Sequence, residues 1–75
     1  DLTRANLSYA NLQGVDLTGA TLTDAALMGA NLQGADLTGA TLTGVILDEA
    51  DVRAAKVTEE QLQTVISGKN VKRAP

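Results

Sequence analysis

Leucine occupies every fifth position from Leu2 through Leu7, Leu12, Leu17, Leu22, Leu27, Leu32, Leu37 and Leu42 to Leu47, and Val52 and Val57 keep the register. Alanine or valine stands two places before each of these from Ala5 to Ala55. Five residues at about 100° each would scatter the leucines around an α-helix. In a flat strand an odd spacing would send alternate leucines to opposite faces. All twelve residues share one interior only if the backbone turns a corner once per pentad.

A second period gives the number of corners. Residues 11–23 read NLQGVDLTGATLT and residues 31–43 read NLQGADLTGATLT, differing only at Val15 and Ala35. Twenty residues are four pentads, which implies four sides to one closed coil and a strand-like stacking of coils about 4.8 Å apart.

The pentads Ala5-Asn6-Leu7, Ala10-Asn11-Leu12, Val15-Asp16-Leu17, Ala30-Asn31-Leu32, Ala35-Asp36-Leu37 and Ala50-Asp51-Val52 carry a family resemblance. The chain resembles the pentapeptide-repeat family, whose motif is alanine, aspartate or asparagine, leucine and two variable residues. The resemblance covers residues 1–57. It implies an all-β solenoid, a right-handed quadrilateral β-helix of about three coils; the handedness comes from the family and not from the spacing. Thr21, Ala26, Thr41, Ile46 and Lys56 depart from the motif where it calls for an acid or amide.

Beyond the repeat, Thr58-Glu59-Glu60-Gln61 has the form of a capping box, and Leu62, Val65 and Ile66 follow at helical spacing before Gly68. These residues predict a short C-terminal capping α-helix within 58–68, with 59–67 helical, laid over the last coil to hide its leucines and strand edge. Lys69, Lys72 and Arg73 then make a basic tail over 69–75, expected to be frayed or linking. At the other end Asp1-Leu2 begins in mid-repeat. Upstream residues, in preference to a second copy or another protein, are expected to cover that coil edge.

The composition leaves little for catalysis. The chain has no His, Cys, Phe or Trp, and Tyr9 is its one aromatic residue. Ser8 and Ser67 have no base to take a proton, as a nucleophile would need. Asp16 and Asp36 fall one coil apart and should stack, but an Asx side chain at a corner ordinarily accepts a nearby backbone N–H. Nothing beside them supplies the six to eight oxygens that calcium prefers. The glycines form no GxGxxG run, so no phosphate cradle is expected. No cofactor, metal or small-molecule substrate is therefore expected. No apolar run approaches the ~20 residues that span a membrane, no secretory leader pattern is visible, and the absence of cysteine carries no information on compartment.

Three surface features remain. Residues 1–57 hold Asp1, Asp16, Asp24, Asp36, Asp48, Glu49 and Asp51 against Arg4, Arg53 and Lys56, a net charge of −4. Some pentapeptide-repeat proteins resemble a DNA duplex and inhibit or protect DNA gyrase, and the resemblance makes Asp16, Asp36 and Asp51 candidate DNA-mimic acids. Duplex DNA carries a charge about every 1.7 Å of axis, a density these dispersed acids do not reach. Thr21-Leu22-Thr23 under Thr41-Leu42-Thr43, with Thr3, makes Thr-x-Thr ranks similar to those of insect-type antifreeze proteins, yet threonine is also a common outward residue on strands. The third feature is apolar: Tyr9, Ala26, Met28 and Ile46 point outward on the side built around Leu7, Leu27 and Leu47, with Asp48 and Glu49 as rim.

The sequence thus reads as a non-enzymatic module, an interaction or spacer element within a longer chain. It would contact a protein partner or a second copy of itself through Tyr9, Met28 and Ile46, with no direct nucleic-acid or membrane binding. The alternative from another class is a DNA-mimicking regulator of gyrase, and ice binding is a distant third.

Overall fold

A computed structural model describes residues 1–73. Its framework is a parallel ladder that, as far as Lys56, joins one residue of a pentad to the residue twenty further on. Asn6 pairs with Ala26, Asn11 with Asn31, Asp16 with Asp36 and Thr21 with Thr41; Ala26, Asn31 and Asp36 pair again with Ile46, Asp51 and Lys56. The hydrogen bonds alternate around each pair: Leu7 N–H donates to Ala26 C=O at 2.8 Å, and Ala26 N–H donates to Ala5 C=O at 2.9 Å. Ladder pairing at this offset makes the chain a β-helix solenoid.

The pentad is one short extended piece followed by one β-turn. Ala10 N–H donates to Leu7 C=O at 3.1 Å, and the same i to i+3 bond recurs from Leu12 to Val15 and from Leu17 to Ala20. The third residue of each such turn takes a positive φ, as a turn of this shape demands. Glycine fills many of these corners, but Arg4, Tyr9, Asp24, Glu49, Ala54 and Asn70 also adopt φ between 58° and 64°. Inside, Leu22, Leu27, Leu32, Leu37, Leu42, Leu47 and Val52 are buried, with Ala25, Ala30, Ala35, Ala40, Val45 and Ala50 between them. Leu2, Leu7, Leu12, Leu17 and Val57 are partly buried and pack against that core. Small residues alternate with leucine because two such rings must share a narrow interior at close-packed density.

The C-terminal third differs from the sequence reading. The helix, α1 (Glu59–Gln63), is only five residues long and stops at Thr64, whose N–H and hydroxyl both donate to Gln61 C=O. The β-branched run Thr64-Val65-Ile66 is a poor continuation. The Thr58 hydroxyl accepts Gln61 N–H at 3.0 Å, and Gln61 Oε1 accepts Thr58 N–H at 2.8 Å, the reciprocal capping box. Gln61 Nε2 reaches past the helix to donate to Leu37 C=O and Ala40 C=O at 2.7 and 3.0 Å.

Residues 64–73 are neither helix nor frayed tail. They rejoin the ladder: Ser67 pairs with Ile46 and Lys72 with Asp51, an offset of twenty-one instead of twenty. The extra residue is taken up across α1, between Lys56 and Ser67. The helical expectation for Thr64 to Ser67 and the frayed expectation for Lys69 to Arg73 are therefore corrected, because exposed ladder groups of residues 44–52 pair with this segment. Ala74 and Pro75, the end of the expected basic tail, lie outside the described residues.

Candidate interaction face

The ladder aligns one side of the solenoid into columns. Asn6, Ala26 and Ile46 stand one above another, and Ser67 follows. Ile66 lies beside Ser67 and is turned outward at 74 % exposure; its N–H donates to Val45 C=O at 2.9 Å while Ser67 C=O accepts from Leu47 N–H at 2.7 Å. Ala26 and Ile46 are half-buried, as is Met28 along the adjacent column. Tyr9, at a corner with φ 64°, is 71 % exposed. Its ring lies over Gly29, where a Cβ would come within 2.5 Å of ring carbons, so only glycine leaves room for it.

The sequence-predicted contacts Tyr9, Met28 and Ile46 thus fall on one side, and Ile66 joins them. The sequence reading missed Ile66 by assigning it to a helix. No local signal marked it, because this last coil pairs at an offset of twenty-one.

The rim is polar and held in place. Asp48 Oδ1 accepts the Ser67 hydroxyl at 2.6 Å and Lys69 N–H at 3.1 Å. The Ser67 bond and then the Lys69 N–H hold the Asp48 carboxyl below its ordinary value; desolvation opposes them, and the Lys69 charge adds a still smaller lowering. Glu49 is exposed at the next corner.

The candidate DNA-mimic acids are not gathered in one place. Asp16 and Asp36 pair directly, whereas Asp51 stands on another side above Asn31. Each carries a counter-charge or a turn bond. Lys56 Nζ lies 3.8 Å from Asp36, and Arg53 grips Asp51 through Nε and Nη2 at 2.9 and 2.7 Å. The Thr18 and Thr38 hydroxyls, then their backbone N–H groups, lower the carboxyls of Asp16 and Asp36. Arg53 does the same for Asp51. Asp1, Asn6, Asn11, Asp16, Asn31, Asp36 and Asp51 each accept the N–H of the second residue onward at 3.0–3.2 Å. Asn and Asp do this equally, so the bond needs an oxygen and not a charge.

Thr21 stacks on Thr41 as the ranks require, and both flank the buried Leu22 and Leu42. A groove of about 400 Å³ runs along Thr38, Lys56, Thr58 and Gln61 and brings no nucleophile to a base. Among the described residues no cluster of His, Cys, Asp or Glu could hold a metal ion, and no helix is long and apolar enough to cross a membrane.

A family model of pentapeptide repeats matches residues 1–24 and 25–59 in eight copies. No curated protein matches the chain. Solved structures similar to it include a pentapeptide repeat protein from Nostoc Pcc 7120, 28 % identical over 96 % of this chain and 83 % of the other, with a TM-score of 0.41. Another is from the thylakoid lumen of Arabidopsis thaliana, 29 % identical over 93 % of this chain and 52 % of that one, with a TM-score of 0.36. QnrB1, a plasmid-mediated fluoroquinolone resistance protein, is 24 % identical over 92 % of this chain but 38 % of its own length, with a TM-score of 0.31.

Proposed function

This chain belongs to the pentapeptide-repeat family, and on that premise we propose that it is a rigid, non-catalytic module that binds a protein through the side bearing Tyr9, Met28 and Ile46. Family membership implies the right-handed sense of the β-helix. The reading further takes residues 1–57 as about three coils and α1 as the element that closes one side over the last of them.

One observation carries the contact: Ala26 and Ile46 stack on one side of the ladder, and exposed Ile66, beside Ser67 at the next level, and exposed Tyr9 flank them. Isolated exposed apolar residues mean little, but a continuous patch on one flat side is what interfaces bury at their centre. Glu49 and the Asp48–Ser67–Lys69 cluster supply the polar rim. Regular hydrogen bonding holds the patch in shape before binding, which reduces the entropy lost on association. The partner is a protein surface or a second copy of the chain.

Nothing in the geometry favours the gyrase-directed reading, since Lys56, Arg53 and Lys72 stand on or above the acid columns. A supercoiling assay with micromolar protein tests it directly, and inhibition or protection would reinstate it.

The contact is tested with Ile46→Asp and Ile66→Asp. Both variants should keep the parent far-UV spectrum and melting transition while losing partner binding and any concentration-dependent increase in mass. Because Tyr9 is the only fluorophore, its emission and its quenching by acrylamide report burial at the same face. Binding that persists in both variants, with Tyr9 equally quenched, would remove this side from the function.

A further inference from the structure

Residues 64–73 are attached unlike any earlier part of the ladder. They pair with residues 44–52 on two sides only, at Ile46–Ser67 and Asp51–Lys72, whereas residues 21–36 meet residues 41–56 on four. The twenty-one-residue offset also changes the register: Gly68 follows Ser67 and Arg73 follows Lys72 where earlier coils place an inward leucine or valine, and both are exposed. None of residues 64–73 is buried, and a cavity of about 110 Å³ is left among Leu47, Leu62, Val65, Gly68, Val71 and Arg73. What remains is Val65 and Val71 against the core, the Asp48 carboxylate holding Ser67 and Lys69, and the Arg73–Glu59 ion pair.

We propose that residues 64–73 are a releasable cover, latched by Asp48 to Ser67 and Lys69, over a strand edge formed by residues 44–52. Opening it frees the N–H groups of Leu47, Glu49 and Val52 and the C=O groups of Val45 and Ala50, next to the apolar row of Val45, Leu47, Ala50 and Val52. The cover opens without the rest of the solenoid because neighbours in a repeat stack separate along their weakest interface.

Amide hydrogen exchange on the whole chain tests this. Leu47, Glu49 and Val52 donate across the cover interface at 2.7–2.8 Å, and Leu27, Leu32 and Leu37 donate across the interface below at 2.8–3.0 Å. The bonds are alike, so unequal protection reports opening. The upper three should exchange at least about tenfold faster than the lower three. Asp48→Ala should accelerate the upper set by about a further tenfold and leave the lower set unchanged.

Gly68→Ala should act in the opposite direction. A Cβ there meets Val71 and Val65 at ordinary distances of 3.5 and 3.8 Å, and the backbone lies outside the left-handed region. It should slow upper-set exchange by about two- to fivefold. Equal protection of the two sets in the parent would overturn the proposal. So would an upper set indifferent to both substitutions, and if Asp48→Ala fails to fold, Gly68→Ala alone decides.

Discussion

Asp48 and Ser67 lie nineteen residues apart in sequence, and the Ser67 hydroxyl donates to Asp48 Oδ1 at 2.6 Å. The same oxygen takes the Lys69 N–H, so one carboxylate organises the return of the chain onto the ladder after α1.

Acid should release that junction. The fold holds the Asp48 carboxyl below 3.8, through Ser67 first, then the Lys69 N–H and the Lys69 charge, with Glu49 adjacent in sequence. A depressed folded value means the unfolded state binds more protons near that pH. The contribution is then complete above about pH 5 and lost as pH falls through the folded value. Exchange at the Leu47 and Glu49 amides, corrected for its intrinsic pH dependence, should rise below about pH 4. A flat corrected profile down to the global acid transition would count against it.

Gln61 should be the most sensitive polar residue of the C-terminal third. It closes the capping box and also donates to the carbonyls of Leu37 and Ala40. Gln61→Ala leaves the Ala40 C=O without its donor, leaves the Leu37 C=O only the Ala40 N–H, opens the capping box, and should cost about 1–3 kcal/mol. Gln61→Glu keeps the Oε acceptor for Thr58 but loses both donations, so it should recover only part of the loss. Thermal melts of the three proteins separate the two roles; an unchanged transition in Gln61→Ala would refute both.

Ala54 is a strained corner. It holds φ 62°, at the position where the two preceding coils have Gly14 and Gly34. A non-glycine residue in the left-handed region costs about 1–2 kcal/mol, partly offset because glycine loses more entropy on folding. Ala54→Gly should therefore stabilise the chain by up to about 1 kcal/mol in denaturant titrations. Gly29→Ala should do the reverse and also displace the Tyr9 ring, seen as a change in tyrosine emission.

Position along the solenoid should grade the leucines. Leu32 is fully buried, whereas Leu12 is only partly so. Leu32→Ala should cost about 2–5 kcal/mol, and Leu12→Ala distinctly less. Equal losses would mean that Leu12 is covered in solution.

Much of the architecture was legible because an inward leucine every fifth residue admits few backbone paths. The spacing of twenty between Val15 and Ala35 already implied the pairing of Asp16 with Asp36. The Asx residues were also readable, since an oxygen two residues before a turn N–H is a local matter. Ile66 was not, because Leu62, Val65 and Ile66 have helical spacing and the capping box before them is real.

The sequence by itself determined the five-residue corner, the inward leucine and alanine rings and the start of α1. Those depend on spacing and residue type within a few positions. Only the tertiary structure decided that α1 stops at Gln63, that the offset becomes twenty-one, and that Ile66 turns outward beside Ile46. Unpaired N–H and C=O groups on residues 44–52 compete with helix propagation for the same chain. That competition is settled by hydrogen bonds between residues about twenty positions apart, which no local pattern records.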